Sequence, residues 1–217
     1  MRRLGWLVLA WVWLAPPVAA QGARVSVSMA LNATPEGNGA RKPIVYLRGL
    51  LTDSRWNQAL DNSLPIVLNY HLEVWRSRDG WIDELTGSVD WQSVVSKEPL
   101  EDEYTVTLVI ANRAERPRRF ALRDSTEYFL TRPQRVDVFP TRGGRFYYTL
   151  TVRITALSDA DVAQLERFLA GDTDPDATDR GTLFGRGIRR LLLRIAGLPS
   201  EVLQAKTEEF EVREIRD

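Results

Sequence analysis

Residues 66–91 constrain the fold most, because two stretches of period-two alternation flank a single turn signal. Ile66, Leu68, Tyr70, Leu72 and Val74 alternate with Asn69, His71 and Glu73. Successive side chains of a strand point to opposite faces, so this pattern predicts a strand with one face buried. Asp79-Gly80 then reads as a two-residue type I′ hairpin turn, which needs positive φ at both central positions. That turn would set Val74 opposite Leu85, Tyr70 opposite Val89 and Leu68 opposite Trp91, with Arg76 meeting Asp83. The two apolar faces then coincide, and a one-residue slip would scramble them. Gly87, opposite Leu72 in this register, reads as a bulge or a close backbone approach.

Alternation recurs along most of the chain. Val25, Val27, Met29 and Leu31 predict a first strand, and the apolar run from Ile44 to Leu51 a second. Asp53 is placed to cap a short helix through Leu60, and Pro65 marks the start of the next element. Tyr104–Ile110 predicts another strand and Phe120–Leu122 a short one. Asp124 with Glu127 then makes a capping pattern for a brief helix. Val136–Phe139, the turn Arg142-Gly143-Gly144 and Phe146–Ala156 suggest a further hairpin. After Ala156 the period changes. Ser158 with Asp161 predicts a capped helix whose stripe is Val162, Leu165, Phe168 and Leu169, ended by Gly171. Phe210, Val212 and Ile215 predict a closing strand.

These readings give a mainly β chain: an antiparallel β-sandwich or partly closed barrel with C-terminal helices. The expected organisation is a signal peptide over 1–20, a β-rich core domain over 21–171, an acidic linker over 172–180, and a basic amphipathic helix with a closing strand over 181–217. The export reading rests on Arg2-Arg3, the apolar stretch Leu4–Leu14 and Val18-Ala19-Ala20 before Gln21. A basic start, an apolar centre and small residues at the cut are the three parts of a secretory signal. The apolar stretch is shorter than the roughly 20 residues a spanning helix needs, and Pro16-Pro17 interrupt it. The expectation is a periplasmic or secreted protein, with no transmembrane span after cleavage behind Ala20.

Composition narrows the function classes. The 217 residues carry 29 basic and 29 acidic side chains. Without Arg2 and Arg3 the balance is 27 against 29, which argues against a nucleic-acid partner. The absence of cysteine removes disulfide staples, thiol nucleophiles and Cys-based zinc sites.

Four features are candidates for function. His71, the sole histidine, lies on the polar strand face near Glu73, Ser88 and Asp90. A His–carboxylate pair serves acid–base chemistry or metal binding, yet one histidine with scattered acids also describes a solvated strand. Ser88 lacks a nucleophile-elbow context. Asp172, Asp174, Asp176 and Asp179 resemble the opening of a calcium loop, but Ala177 and Leu183 stand where its glycine and glutamate belong. In the helix expected over 183–196, Phe184, Ile188, Leu191, Leu192 and Ile195 form one face and Arg186, Arg189, Arg190 and Arg194 the other. Such a helix packs on its own domain or meets an anionic surface. Trp75 and Trp81 flank the hairpin turn with Arg76 and Arg78 between them, a composition common at interfaces and also in packing.

The order of these parts is itself distinctive. The segment LDNSLPIVLNYHLEVWRSRDGW over Leu60–Trp81, the strands after it, and SDADVAQLERFL over Ser158–Leu169 resemble the family called domain of unknown function 4390, exported bacterial proteins. The resemblance runs roughly from Ile44 to Val212 and implies a bacterial, extracytoplasmic protein. It assigns no catalytic residue. The expectation is a binding or accessory module of the cell envelope, with no enzyme activity, catalytic group, cofactor or metal. Its partner would be an envelope protein or a membrane surface, met through the four helix arginines or the Trp75–Trp81 turn. Two alternatives stay open. One is a carboxylate-dependent hydrolase of envelope glycans using acids such as Asp83, Glu84 or Asp90. The other is a small-ligand carrier with an apolar cavity.

Overall fold

The computed structural model describes residues 24–111, 113–156 and 199–214. Strands β1 (Ser26–Leu31) and β2 (Pro43–Arg48) lead into helix α1 (Ser54–Asp61). The meander β3 (Ile66–Ser77), β4 (Glu84–Glu98) and β5 (Glu103–Ile110) follows, then β6 (Arg113–Ala114) and β7 (Arg118–Phe120). Helix α2 (Arg123–Leu130), β8 (Gln134–Arg135), β9 (Gly144–Ala156), β10 (Ser200–Lys206) and β11 (Phe210–Val212) complete the order. Two antiparallel sheets result, one of eight strands and one of three, and they do not close into a barrel.

The alternation read from sequence sets the core. Ile66, Leu68, Tyr70, Leu72 and Val74 are buried, and their neighbours Phe146, Tyr148, Leu150, Val152 and Ile154 on β9 share that face. Val45 and Leu47 of the small sheet, with Leu50, Leu51, Trp56 and Leu60, join them in one cluster. Tyr70 and Trp91 stack with centroids 4.8 Å apart, a geometry worth about 0.5–1.5 kcal/mol beyond area burial. Asp53 caps α1 as expected, accepting a hydrogen bond from the Arg55 backbone N–H.

The other face of the large sheet divides in two. Val67, Val94 and Val109, with Thr107 and Thr155, are buried outside the main cluster. Further along lie Asn69, His71, Glu73 and Asp90, half-buried or exposed.

Several expectations change. The β3–β4 register differs from the one expected by two residues up to Val74, where Tyr70 faces Trp91 and Val74 faces Gly87, and by one residue beyond the bulge, where Arg76 faces Glu84. The connection spans Arg78–Asp83, and Gly80 but not Asp79 takes a positive φ, so it is not type I′. Asp83 explains the longer loop. Its carboxylate accepts from the Arg78 N–H at 3.2 Å and the Tyr147 hydroxyl at 2.6 Å, which draws it out of the ladder. The bulge does occur at Gly87, with Thr86 as the extra residue and its hydroxyl donating to the Val74 carbonyl at 3.0 Å.

The hairpin expected between Val136–Phe139 and Phe146–Ala156 does not form. β8 pairs with β2 in the small sheet, while β9 runs inside the large sheet between β3 and β10. Asp124 does not cap α2; Leu122 occupies the cap with no side-chain bond. The closing strand forms over Phe210–Val212 as β11, with Ile215 outside the described residues, and β10, which was not expected, pairs with β9 as well. The helices expected after Ser158, the acidic linker over 172–180 and the signal peptide over 1–20 lie outside the described residues. Among the described residues no helix is long and apolar enough to cross a membrane.

Candidate binding surfaces

The end of the β3–β4 hairpin presents large apolar side chains to solvent: Trp81 is 81% exposed, Ile82 90% and Leu85 49%. The strands hold this end in place from both sides. Arg78 pairs with Glu84 across its base, and Arg145 on β9 pairs with Asp79. Among Arg76–Leu85 two arginines stand against three acids, Asp79, Asp83 and Glu84.

Trp75 behaves differently from Trp81. Its indole N–H donates to Glu73 Oε2 at 3.0 Å and lies 3.2 Å from Thr149 Oγ1, which fixes the ring on the polar face of the sheet. The hairpin end therefore offers Trp81 and holds Trp75 back. Arg186, Arg189, Arg190 and Arg194, the other proposed contacts, lie outside the described residues.

His71 sits at the centre of a polar row. Its Nδ1 is 2.7 Å from Asp90 Oδ1 and its Nε2 is 3.2 Å from Glu73 Oε1. Both ring nitrogens thus face carboxylates, an arrangement fully satisfied only by the imidazolium, in which both donate. Partial burial opposes the charged ring, but the bonds and charges of Asp90 and Glu73 outweigh it and raise the pKa above the ordinary 6.5. For Glu73 burial likewise opposes the charge, and bonds from Trp75, Thr149 and His71 still hold the pKa below its usual value. The two carboxylates grip opposite edges of the ring, so one ion cannot meet all three groups. Among the described residues no group of three His, Asp or Glu side chains has metal-holding geometry.

The acids considered for hydrolysis are held in other contacts. Asp83 binds Tyr147, Glu84 pairs with Arg78, and Asp90 binds His71. None of them lines the cavity of about 610 Å³ between β7 and α2 or the one of about 520 Å³ beside Glu36 and Glu209. The first of these cavities is lined by Arg118, Arg119 and Arg132 with Phe120, Tyr128 and Phe129, and by Asp124 and Ser125. Sequence reasoning passed over it. The signal was present as seven arginines against three acids over Arg113–Arg135, but its aromatic partners come together only across a strand and a helix.

Residues 51–166 match the family model described as Domain of unknown function (DUF4390). The chain belongs to the DUF4390 family. The match begins at the end of the β2–α1 turn and takes in α1, the meander and β9, so it is narrower than the span over which the sequence resembles the family. It contains both the hairpin end and the arginine-lined cavity. No curated protein and no solved structure matches the chain.

Proposed function

We propose that this DUF4390 protein is an exported, non-catalytic binding module of the bacterial cell envelope, and that its hairpin end docks a protein partner. The observation that carries the reading is the exposure of Trp81 and Ile82 at the end of a hairpin that β9 flanks as far as Ser77. Two adjacent apolar side chains held clear of solvent-screening neighbours cost solubility and are characteristic of contact sites. With Arg145, three arginines balance three acids at that end, without the excess of Lys and Arg that recruits helices and loops to an anionic membrane surface. Export is supported by the tripartite pattern over residues 1–20.

The binding reading is favoured over catalysis because His71 has both ring nitrogens engaged and Asp83 is tied to a tyrosine. The carrier reading draws no support from the space between the sheets, which Trp56, Tyr70, Phe146 and Tyr148 fill.

Two measurements test the proposal. N-terminal sequencing of protein from the source cells is expected to begin at Gln21; an intact Met1 on protein found in the soluble cytosolic fraction would refute export. A photo-crosslinker at position 81 is expected to trap a discrete envelope protein, and Ile82→Ser is expected to reduce that adduct severalfold. An adduct to lipid alone, or none, would refute the protein-docking role of this end.

A further inference from the structure

The geometry points to a second binding site, a groove between β7 and α2 that takes an extended acidic peptide segment of a partner protein as an added strand. The groove lies at the opposite end of the meander from Trp81: β7 pairs with Tyr104–Val106, which in turn pair with Val95–Lys97, the far end of β4 from the hairpin. It is therefore independent of the proposed hairpin contact.

Three observations converge. The first is the free backbone edge. Among the described residues β7 pairs only with β5, so one side of Arg118–Phe120 has no ladder partner. An unpaired strand edge is a template for an incoming strand, whose main chain supplies affinity while its alternate side chains supply specificity. β7 is only three residues long and carries two arginines, with Arg118 on the same sheet face as Val106; such an edge resists an apolar strand and is matched by an acidic one.

The second is charge. Arg118 and Arg132 make no ion pair among the described residues, and Arg119 shares its charge with Glu101 at 2.9 Å and Glu103 at 3.8 Å. The acids on the same stretch offer little compensation. Glu127 is spent on two backbone N–H groups elsewhere, and Asp124, the one acid that lines the groove, is largely exposed and lies 3.7 Å from Arg123. Guanidinium groups with no partner are suited to carboxylates, which they grip with two parallel N–H donors.

The third is preorganisation. The Arg118 guanidinium lies 5.2 Å from the Phe129 ring centre, and that of Arg132 lies 5.1 Å from Tyr128 and 6.0 Å from Phe129. Phe120 and Phe129 pack with centroids 5.2 Å apart and floor the cavity. Stacking on rings holds the cations in place before any ligand arrives, which lowers the ordering cost of binding. The floor then receives one apolar side chain of the segment while the acids on either side of it meet Arg118 and Arg132. Side chains that share one face of a strand lie two residues apart, so the fitting segment has the form Glu-x-Leu-x-Glu.

The test uses the full protein lacking only what the cell removes, with a fluorescein-labelled peptide carrying the segment Glu-Ser-Leu-Ser-Glu as the probe. Saturable binding is expected, weakened at least tenfold by Arg118→Gln with Arg132→Gln and by replacing the peptide glutamates with glutamine. Amides of Arg118–Phe120 are expected to exchange more slowly with the peptide bound. Tyr128→Ser, an exposed change on the groove wall, gives an independent weakening should the arginine variant fold poorly. Equal binding by the arginine variant and the parent overturns the site. So does peptide binding without protection of the β7 amides, or preferential binding of phosphatidylglycerol vesicles or inorganic phosphate over the peptide.

Discussion

Glu127 supplies the sharpest test of how this fold is held together. Its two carboxylate oxygens accept from the backbone N–H of Gly49 and of Leu51, both at 2.7 Å. The contact joins α2 to the turn between β2 and α1 across more than seventy residues. Gly49 needs that support, since its φ is +81° and a Cβ there would lie 2.9 Å from the Arg24 carbonyl oxygen. Each hydrogen bond to a charged group is worth about 1.5–3 kcal/mol. Partial access of water discounts the pair, so Glu127→Ala is expected to cost about 2–4 kcal/mol. Glu127→Gln keeps one acceptor and sets an NH₂ against the other N–H, for a loss of about 1–2 kcal/mol. Gly49→Ala should cost about 1–3 kcal/mol through the left-handed backbone alone. Because both changes act on one turn, the double variant is expected to lose less than the two single losses combined. Urea unfolding of the purified variants at constant m measures each value. A Glu127→Ala protein within about 0.5 kcal/mol of the parent would refute the clamp.

Other expectations follow from single contacts. Thr207 accepts from the buried Tyr148 N–H at 3.0 Å, and Thr207→Val leaves that donor unpaired. The expected loss is about 1–3 kcal/mol in urea unfolding, with no loss refuting the role of this residue where the edge strand breaks. The raised His71 pKa means that the folded state binds its proton more tightly than the unfolded chain. Stability from this group is therefore full below about pH 6.5 and lost as pH rises through the folded value. His71→Gln should narrow that pH dependence, and a parent that gains stability relative to it at higher pH would contradict the bridge. Tyr147, buried and bonded to Asp83, has its pKa pushed up to about 12. Burial also raises Tyr70 and Tyr148, so spectrophotometric titration should show three late tyrosines, of which one moves down in Asp83→Asn; an unmoved titration would break the link.

Much of the architecture was legible in the sequence because it depends on neighbours a few residues apart. Alternation over Ile66–Val74 and Tyr104–Val106 gave the inward faces, and Asp53 marked the start of α1. The β3–β4 register was not legible in the same way. A shift of two residues keeps every side chain on its own face, so the hydrophobic pattern accepts both alignments. Asp83 decides between them through Tyr147, a residue on a strand that the local pattern assigned to another hairpin. The candidate surfaces divide likewise. The exposed pair at the hairpin end was half visible, since Trp81 was singled out, whereas Trp75 proved to be anchored by Thr149.

Glu127 marks the boundary most clearly. Its spacing from Asp124 has the form of a local cap, and an isolated peptide would be free to use it so. In the folded chain the N–H groups of Gly49 and Leu51 take the carboxylate instead. Sequence alone therefore determined which residues face inward, through periodicities that any short segment carries. Tertiary structure decided which strands are neighbours and which charged groups meet, because those depend on partners brought together only when the sheets pack.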